Sequence, residues 1–203
     1  MVETAPRMLR AASAFPDLRA STEPHHAGVL ACERNPQLAT MIAYKGRRSD
    51  ASARLEAYCG LALPGGPRRV PKGESAVIGL GPGTWLFQRE AGLPLATGLS
   101  EALGDAAAVT DQSDGYATMR LTGPRAASVL EKGISVDLHN RVFVPGFAAV
   151  TSCAHLDIIF WRLEDANGHP VYEIAVFRSL ALSLWHFIEE SAAEFGLAVT
   201  AER

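Results

Sequence analysis

The stretch AVIGLGPGTWLF, residues Ala76 to Phe87, decides which fold class the sequence supports. An apolar run followed by closely spaced glycines is typical of a nucleotide loop, but it is also typical of a tight turn. A dinucleotide loop needs G-x-G-x-x-G, and here Thr84 stands at the position of the third glycine. Pro82 also lacks an N–H that a pyrophosphate would need. We therefore predict that the three glycines shape a turn that returns Trp85 to the core.

The composition limits the function classes that fit this chain. With 203 residues, 48% of them hydrophobic and 20% charged, it suits one globular domain or two small units on a shared core. The formal net charge of −3 argues against a nucleic-acid partner, because phosphates require a surplus of Lys and Arg. No apolar run approaches the roughly 20 residues of a membrane span, and the N-terminus lacks the apolar core of a secretory signal. The sequence predicts a cytoplasmic protein without nucleic-acid or membrane partners.

Residues that could carry chemistry are sparse. His25-His26, His139 and Cys153-Ala154-His155 have no metal-ligand spacing, there is no Gly-x-Ser-x-Gly elbow, and the three cysteines fit buried positions better than nucleophiles. Asp111 and Asp114 in TDQSDG could support acid–base work, but Asp and Ser in this setting also bond the backbone of a turn, which is the role we expect. We predict no catalytic residue, no cofactor-binding residue and no metal ligand.

The hydrophobic periodicity predicts an α+β fold of two related sheet-plus-helix units. Residues 1–27 are expected to form a loose tail or arm and 28–203 a single domain. AVIGLGPGTW and ATMRLTGPRA are both apolar strands ending in Gly-Pro, which suggests half-repeats at 28–105 and 106–203.

Local signals add more specific expectations. We predict a loop at residues 63–73, one long buried strand at 148–165, a hairpin at Asn167-Gly168, and Ser179 as the cap of the last helix. A set of aromatic side chains sits in segments with little polar surface; any one of them is expected in the core, and a subunit interface is expected somewhere on the chain. They are Phe160, Trp161, Trp185 and Phe187.

The second half then resembles a known family. The segment from Val109 to Gly146, followed by VFRSLALSLWHFI, resembles the gamma subunit of heterotetrameric sarcosine oxidase, and the likeness extends over roughly residues 30–197. The matching positions are Asp111-Gln112-Ser113, Gly123-Pro124, Lys132-Gly133, Asp137-Leu138-His139, Phe143 with Gly146, and Arg178-Ser179. Part of this signature is shared with the folate-binding fold of the glycine-cleavage aminomethyltransferase.

The resemblance implies a complex that oxidatively demethylates sarcosine to glycine, makes hydrogen peroxide, and passes the one-carbon unit to tetrahydrofolate or releases it as formaldehyde. It implies alpha, beta and delta subunits as partners. FAD, FMN, NAD and tetrahydrofolate would sit on the larger subunits and zinc on delta, while the gamma chain supplies scaffold and contact surface. Ser113, Gly123, Pro124, Asp137, Leu138, Arg178 and Ser179 are then structural motif residues.

Two other interpretations remain open at this point. A stand-alone folate-binding or one-carbon-transfer protein would need an acidic residue facing the pterin, and Asp111 is the nearest candidate for such a vestigial pocket. A homo-oligomer of the isolated chain could use the aromatic surface on itself. Ile134 and Ser135 depart from a Cys-Pro-like segment of relatives, so another N-methyl amino acid could replace sarcosine as the substrate.

Overall fold

The computed structural model describes residues 12–15, 18, 26–90, 92 and 94–200. Within these ranges the chain forms eleven strands and four α-helices, which confirms the predicted α+β class. The strands are β1 (Val29–Arg34), β2 (Gln37–Ala43), β3 (Arg69–Lys72), β4 (Ser75–Gly81), β5 (Thr84–Arg89), β6 (Ala107–Asp111), β7 (Tyr116–Thr122), β8 (Ala148–Cys153), β9 (Leu156–Ala166), β10 (His169–Phe177) and β11 (Leu197–Val199). The helices are α1 (Arg48–Cys59), α2 (Leu95–Leu103), α3 (Ala126–Glu131) and α4 (Ala181–Ala192).

The strands form two sheets. The larger has the order β11-β1-β7-β10-β9-β8 and the smaller the order β3-β4-β5-β2-β6. All neighbours are antiparallel except β1 and β11. Each sheet takes strands from both halves of the chain, because β1 lies in the larger sheet and β6 in the smaller. The half-repeat units 28–105 and 106–203 therefore do not coincide with the two sheets, and their relatedness stays a prediction.

The two sheets face each other, and the helices cover their outer faces. Leu38, Ile78 and Leu86 of the smaller sheet pack against Ile159, Trp161 and Ala175 of the larger one. On the far side of the larger sheet, α3 and α4 close a second core. On the far side of the smaller sheet, α1 and α2 close a third. The alternating side chains of each strand thus serve two different cores, which is the period-2 pattern of a sheet buried on both faces.

The predicted N-terminal arm is described in part. Phe15 is buried in the core of the larger sheet, and the Ala14 N–H donates to Glu33 Oε1 at 2.8 Å. This short piece is therefore docked rather than loose. Residues 1–11, 16–17 and 19–25 of the arm lie outside the described residues.

The glycine-rich stretch forms the turn that the sequence predicts. Pro82 and Gly83 connect β4 to β5, and Trp85 is buried with its Nε1–H donating to the Pro64 carbonyl oxygen at 3.0 Å. Asn167 and Gly168 form the expected hairpin, with φ values of 53° and 77°. Both residues adopt the positive φ that a two-residue hairpin loop requires.

Three local expectations were wrong. The loop predicted at 63–73 contains β3, which pairs with β4 although Pro71 and Lys72 weaken its strand signal. The long strand at 148–165 is two strands, β8 and β9, because Ala154 and His155 turn the chain at φ values of 47° and 69°.

The third wrong expectation is the helix cap. Ser179 lies exposed in a short 3₁₀ turn, and α4 begins after Leu180 without a side-chain cap.

Gly79 gives a direct test of why this stretch needs glycine. A Cβ at Gly79 would lie 2.1 Å from the Gly66 carbonyl oxygen, whereas a Cβ at Gly81 would meet nothing within 4 Å. We expect Gly79→Ala to lower the free energy of unfolding by about 1–3 kcal/mol, because backbone must move to admit the methyl group. Gly81→Ala should change it by less than about 0.5 kcal/mol. Equilibrium urea unfolding measures both, and equal midpoints for the two variants would contradict the role of Gly79.

Candidate functional site

Asp111 and Ser113 form a turn that ties the two sheets together. Asp111 Oδ1 accepts hydrogen bonds from the Ser113 N–H at 2.9 Å and from its hydroxyl at 2.7 Å. The Leu38 N–H donates to the Ser113 hydroxyl oxygen at 3.1 Å, so the turn between β6 and β7 is bonded to β2. Asp111 therefore has the backbone-shaping geometry expected of it, while the same role for Asp114 stays a prediction. A folate-facing role for Asp111 stays a prediction.

Gly123 and Pro124 lie where two backbone segments nearly touch. Gly123 has a φ of 119°, and a Cβ there would lie 2.6 Å from the Gly28 carbonyl oxygen. The Arg125 N–H donates to that same oxygen at 3.0 Å. Only glycine permits both the positive φ and the close approach. This motif pair thus supports the backbone before β1.

The remaining motif residues also lie in turns. Asp137 Oδ1 accepts from the His139 N–H at 2.9 Å, and Leu138 between them is buried. The Arg178 N–H donates to the Gly115 carbonyl oxygen at 2.9 Å, and its guanidinium donates to the Ala12 carbonyl oxygen. Ser179 is exposed beside it. Asp137-Leu138-His139 and Arg178-Ser179 thus lie in separate turns, and Arg178 also lines a cavity described below.

A buried carboxylate lies between the sheets, and sequence reasoning missed it. Glu173 on β10 is fully buried. Its Oε1 accepts from Arg120 Nε at 3.0 Å and Nη2 at 2.5 Å, and its Oε2 accepts from Trp161 Nε1 at 3.0 Å and Gln88 Nε2 at 3.2 Å. The sequence shows each residue within an apolar strand, but only the pairing of β10 with β7 brings Glu173 opposite Arg120.

Further charges surround this carboxylate. Arg34 contacts Glu90 at 2.5 Å and lies 3.7 Å from Glu173. Burial lowers the pKa of the Arg69 guanidinium, while the nearby Glu173 and Glu90 carboxylates oppose that shift. Donors occupy both oxygens of Glu173, so this group acts as a fixed charge that holds the sheets.

An apolar cavity of about 700 Å³ opens between the ends of the two sheets. Leu80 and Thr84 of the smaller sheet line one side, and Tyr116, Val150 and Phe177 of the larger sheet line the other. The Tyr116 and Phe177 rings stack at 5.0 Å, and burial raises the pKa of the Tyr116 phenol. Val150 is 55% exposed and Phe177 47% exposed. We call this opening the apolar mouth; such exposed apolar surface is typical of a contact site.

A second cavity of about 870 Å³ has a lining of mixed polarity. Glu33, Arg34, Gln37, Ser113 and Arg178 are among the residues that line it. Of the predicted aromatic surplus, Phe160, Trp161 and Trp185 lie in the core, and Phe187 is half-buried. The exposed apolar residues of the mouth are ones that the sequence did not single out.

Other site chemistry was searched in the described ranges. There, no three His, Cys, Asp or Glu residues converge as a metal cluster would; His25 lies outside them. In the same part of the chain, no helix is both long and apolar enough to cross a bilayer. Cys153 is buried, and desolvation raises the pKa of its thiol to about 12.

The fold and site define an α+β protein of two facing sheets. The motif residues described above stabilise turns, and buried charges bond the two sheets to each other. Exposed apolar side chains gather at the apolar mouth. Residues 47–194 match the family described as sarcosine oxidase, gamma subunit, and the chain belongs to this family, as the resemblance predicted.

Individual relatives agree with this assignment. The chain is 33% identical over 156 residues to sarcosine oxidase subunit gamma of Corynebacterium sp. (strain U-96), covering 75% of this chain and 74% of that one. It is 34% identical over 125 residues to the gamma subunit of Arthrobacter sp., covering 60% of this chain and 61% of the relative. It also superposes on a chain of heterotetrameric sarcosine oxidase from Corynebacterium sp. U-96 in complex with pyrrole 2-carboxylate. That match has a TM-score of 0.80 at 28% identity and covers 91% of this chain and 96% of the other.

Neutralising the buried carboxylate tests the role assigned to it. Glu173→Gln keeps the shape of the side chain but leaves the partly exposed Arg120 without its counter-charge. We expect the free energy of unfolding to fall by about 2–4 kcal/mol, somewhat less than for a fully buried ion pair, because water can reach Arg120. Glu101→Gln on the exposed side of α2 is the matched control and should be neutral within about 0.5 kcal/mol. Urea unfolding at pH 7 measures both variants, and similar losses would refute the assignment.

Cys153 should be inert in the native chain. A thiol pKa of about 12 leaves roughly one molecule in ten thousand as the reactive thiolate at pH 8, and the side chain is buried as well. Iodoacetamide labelling followed by mass spectrometry should find Cys153 unmodified without denaturant and fully modified in urea. Equal labelling rates in the two conditions would show that the site is open.

Proposed function

We propose that this chain is the gamma subunit of a heterotetrameric sarcosine oxidase, a complex that oxidatively demethylates sarcosine to glycine. The observation that carries the proposal is the superposition, at a TM-score of 0.80 over 91% of the chain, on a chain of such a complex. The matched fraction of the other chain is 96%, so the likeness extends beyond a shared fragment.

We further propose that the subunit is structural and does not catalyse. The acidic motif residues bond turns of their own backbone, as Asp111 does with Ser113 and Asp137 with His139. The buried Glu173 is held by four donated hydrogen bonds. These groups have their interactions within the fold, which supports a scaffold role. The exposed apolar mouth supports a role in contact.

The finer assignments belong to the same proposal. The partners are the alpha, beta and delta subunits, and FAD, FMN, NAD and tetrahydrofolate are held on those partners rather than on this chain. The reaction is then carried out by the partners, and this subunit holds them in place. A stand-alone folate-binding protein is the competing outcome of the experiment below.

Co-expression of the tagged chain with the other subunits encoded by its source tests the proposal. We expect the larger subunits to co-purify with flavin absorption and with sarcosine-dependent formation of hydrogen peroxide. A parallel expression without this chain should give less assembled complex while any flavin on the larger subunits remains. A colourless chain that purifies alone and saturably binds tetrahydrofolate would favour the folate alternative, and one that binds nothing would refute both.

A further inference from the structure

The two sheets have four edges, and natural proteins usually shorten, bond or cover such edges because exposed backbone groups recruit other strands. The larger sheet ends at β11 and β8, and the smaller sheet ends at β3 and β6. The four edges differ in how they are protected.

Three of the edges are blunted. Strand β11 has only three residues. Strand β8 is bonded at both ends, since the Ala148 N–H donates to the Pro67 carbonyl oxygen and the Ala154 N–H to that of Gly133, each at 3.0 Å. The outward backbone groups of Val150 are left between these two occupied stretches of the edge. On β3, the Arg69 N–H donates to the Gly146 carbonyl oxygen at 2.8 Å, and Pro71 has no N–H to offer.

Strand β6 is different. The Gln112 N–H donates to Leu38 at 2.8 Å, and the Ala106 carbonyl accepts from Tyr44 at 3.0 Å, which fixes the alternation of the ladder. Ala108 and Thr110 therefore bond to β2, while Ala107, Val109 and Asp111 turn their backbone groups away from it.

The outward side of β6 carries backbone groups that the fold leaves unbonded. Among the described residues, the Val109 N–H and C=O and the Asp111 N–H have no hydrogen-bond partner within the chain. The sequence AAVTD contains neither proline nor lysine, the residues that commonly protect an edge. An antiparallel strand opposite Val109 could form two hydrogen bonds with it and a third with the Asp111 N–H.

We propose that β6 accepts an extended segment of a partner subunit as the sixth strand of the smaller sheet; this inference rests on the proposed function. The cross-strand row Thr84, Ile42, Ala108 runs from the apolar mouth to this edge, and Ile42 is 50% exposed. An aliphatic or β-branched residue of the incoming strand would extend that row. The carboxylates of Asp111 and Asp114 are exposed at the end of β6, so a Lys or Arg belongs beside the segment.

A second copy of this chain is the competing occupant of the edge. Self-pairing centred on Val109 would put Ala107 of each copy opposite Asp111 of the other. Strand β6 contains no basic residue, so such a pair would bring no Lys or Arg of β6 to the Asp111 carboxylates. A basic-flanked segment of a different subunit would do so.

Val109→Pro removes the outward N–H without touching a bond to β2, because edge strands tolerate proline where the N–H faces solvent. Val109→Ala is the matched control, since it shortens the side chain and keeps the N–H. Each variant is co-expressed with wild-type chain and the other subunits, and mass spectrometry of the purified complex gives its share relative to the free pool. We expect Val109→Ala to incorporate within about twofold of wild type and Val109→Pro to be under-represented by about tenfold or more. Equal incorporation of both would overturn the proposal.

Hydrogen exchange of the wild-type chain tests the same edge without a mutation. The amides of Val109 and Asp111 should exchange fast in the free chain and become protected in the assembled complex. If the complex assembles and these amides stay unprotected, the inference about β6 fails while the proposed function stands. If no complex assembles, the proposed function fails and the inference falls with it. Protection in a homodimer of the isolated chain would assign the edge to a second copy and refute the partner strand.

Discussion

The carboxylate of Glu173 holds the two sheets in one alignment. It accepts from Arg120 and Trp161 on its own sheet and from Gln88 on the other, so both layers contribute donors to one buried charge. Removing a carboxylate from water costs several kcal/mol, and only well-aligned donors offset that cost. Because hydrogen bonds depend on direction, sliding one sheet over the other would break them. The apolar contacts around Trp161 tolerate such sliding far better, since they depend mainly on area.

The path of the chain explains why the motif residues Asp111 and Ser113 lie in a turn. The chain crosses from the larger to the smaller sheet between β1 and β2, and it returns between β6 and β7. The two crossings lie side by side, since Ser113 in the second bonds the backbone of Leu38 just after the first. Asp111 fixes the rotamer of Ser113 by accepting its hydroxyl hydrogen. The Asp111–Ser113 motif therefore joins the two segments in which the chain crosses between the sheets.

How much the sequence predicts depends on whether the deciding contact is local. Asn167-Gly168 was sufficient to predict its hairpin, because a turn type is set within a few residues. Strand β3 was missed because its pairing with β4 overrides Pro71 and Lys72. The turn at Ala154-His155 was missed because neither residue usually adopts positive φ. The partners of Glu173 and the open edge of β6 depend on strand order, which joins residues far apart in the chain and leaves no local pattern.

The apolar mouth and the β6 edge are two parts of one surface. Thr84 lines the mouth and pairs with Ile42, which in turn pairs with Ala108 on β6, so a single row of side chains connects the two. A partner that only filled the mouth would leave the backbone of Val109 to water and Ile42 half-covered. A strand paired with β6 would place its alternate side chains beside Ile42 and bury more of the row, while its backbone satisfied the edge. Backbone bonding would then supply register, and the apolar row would supply most of the free energy of contact.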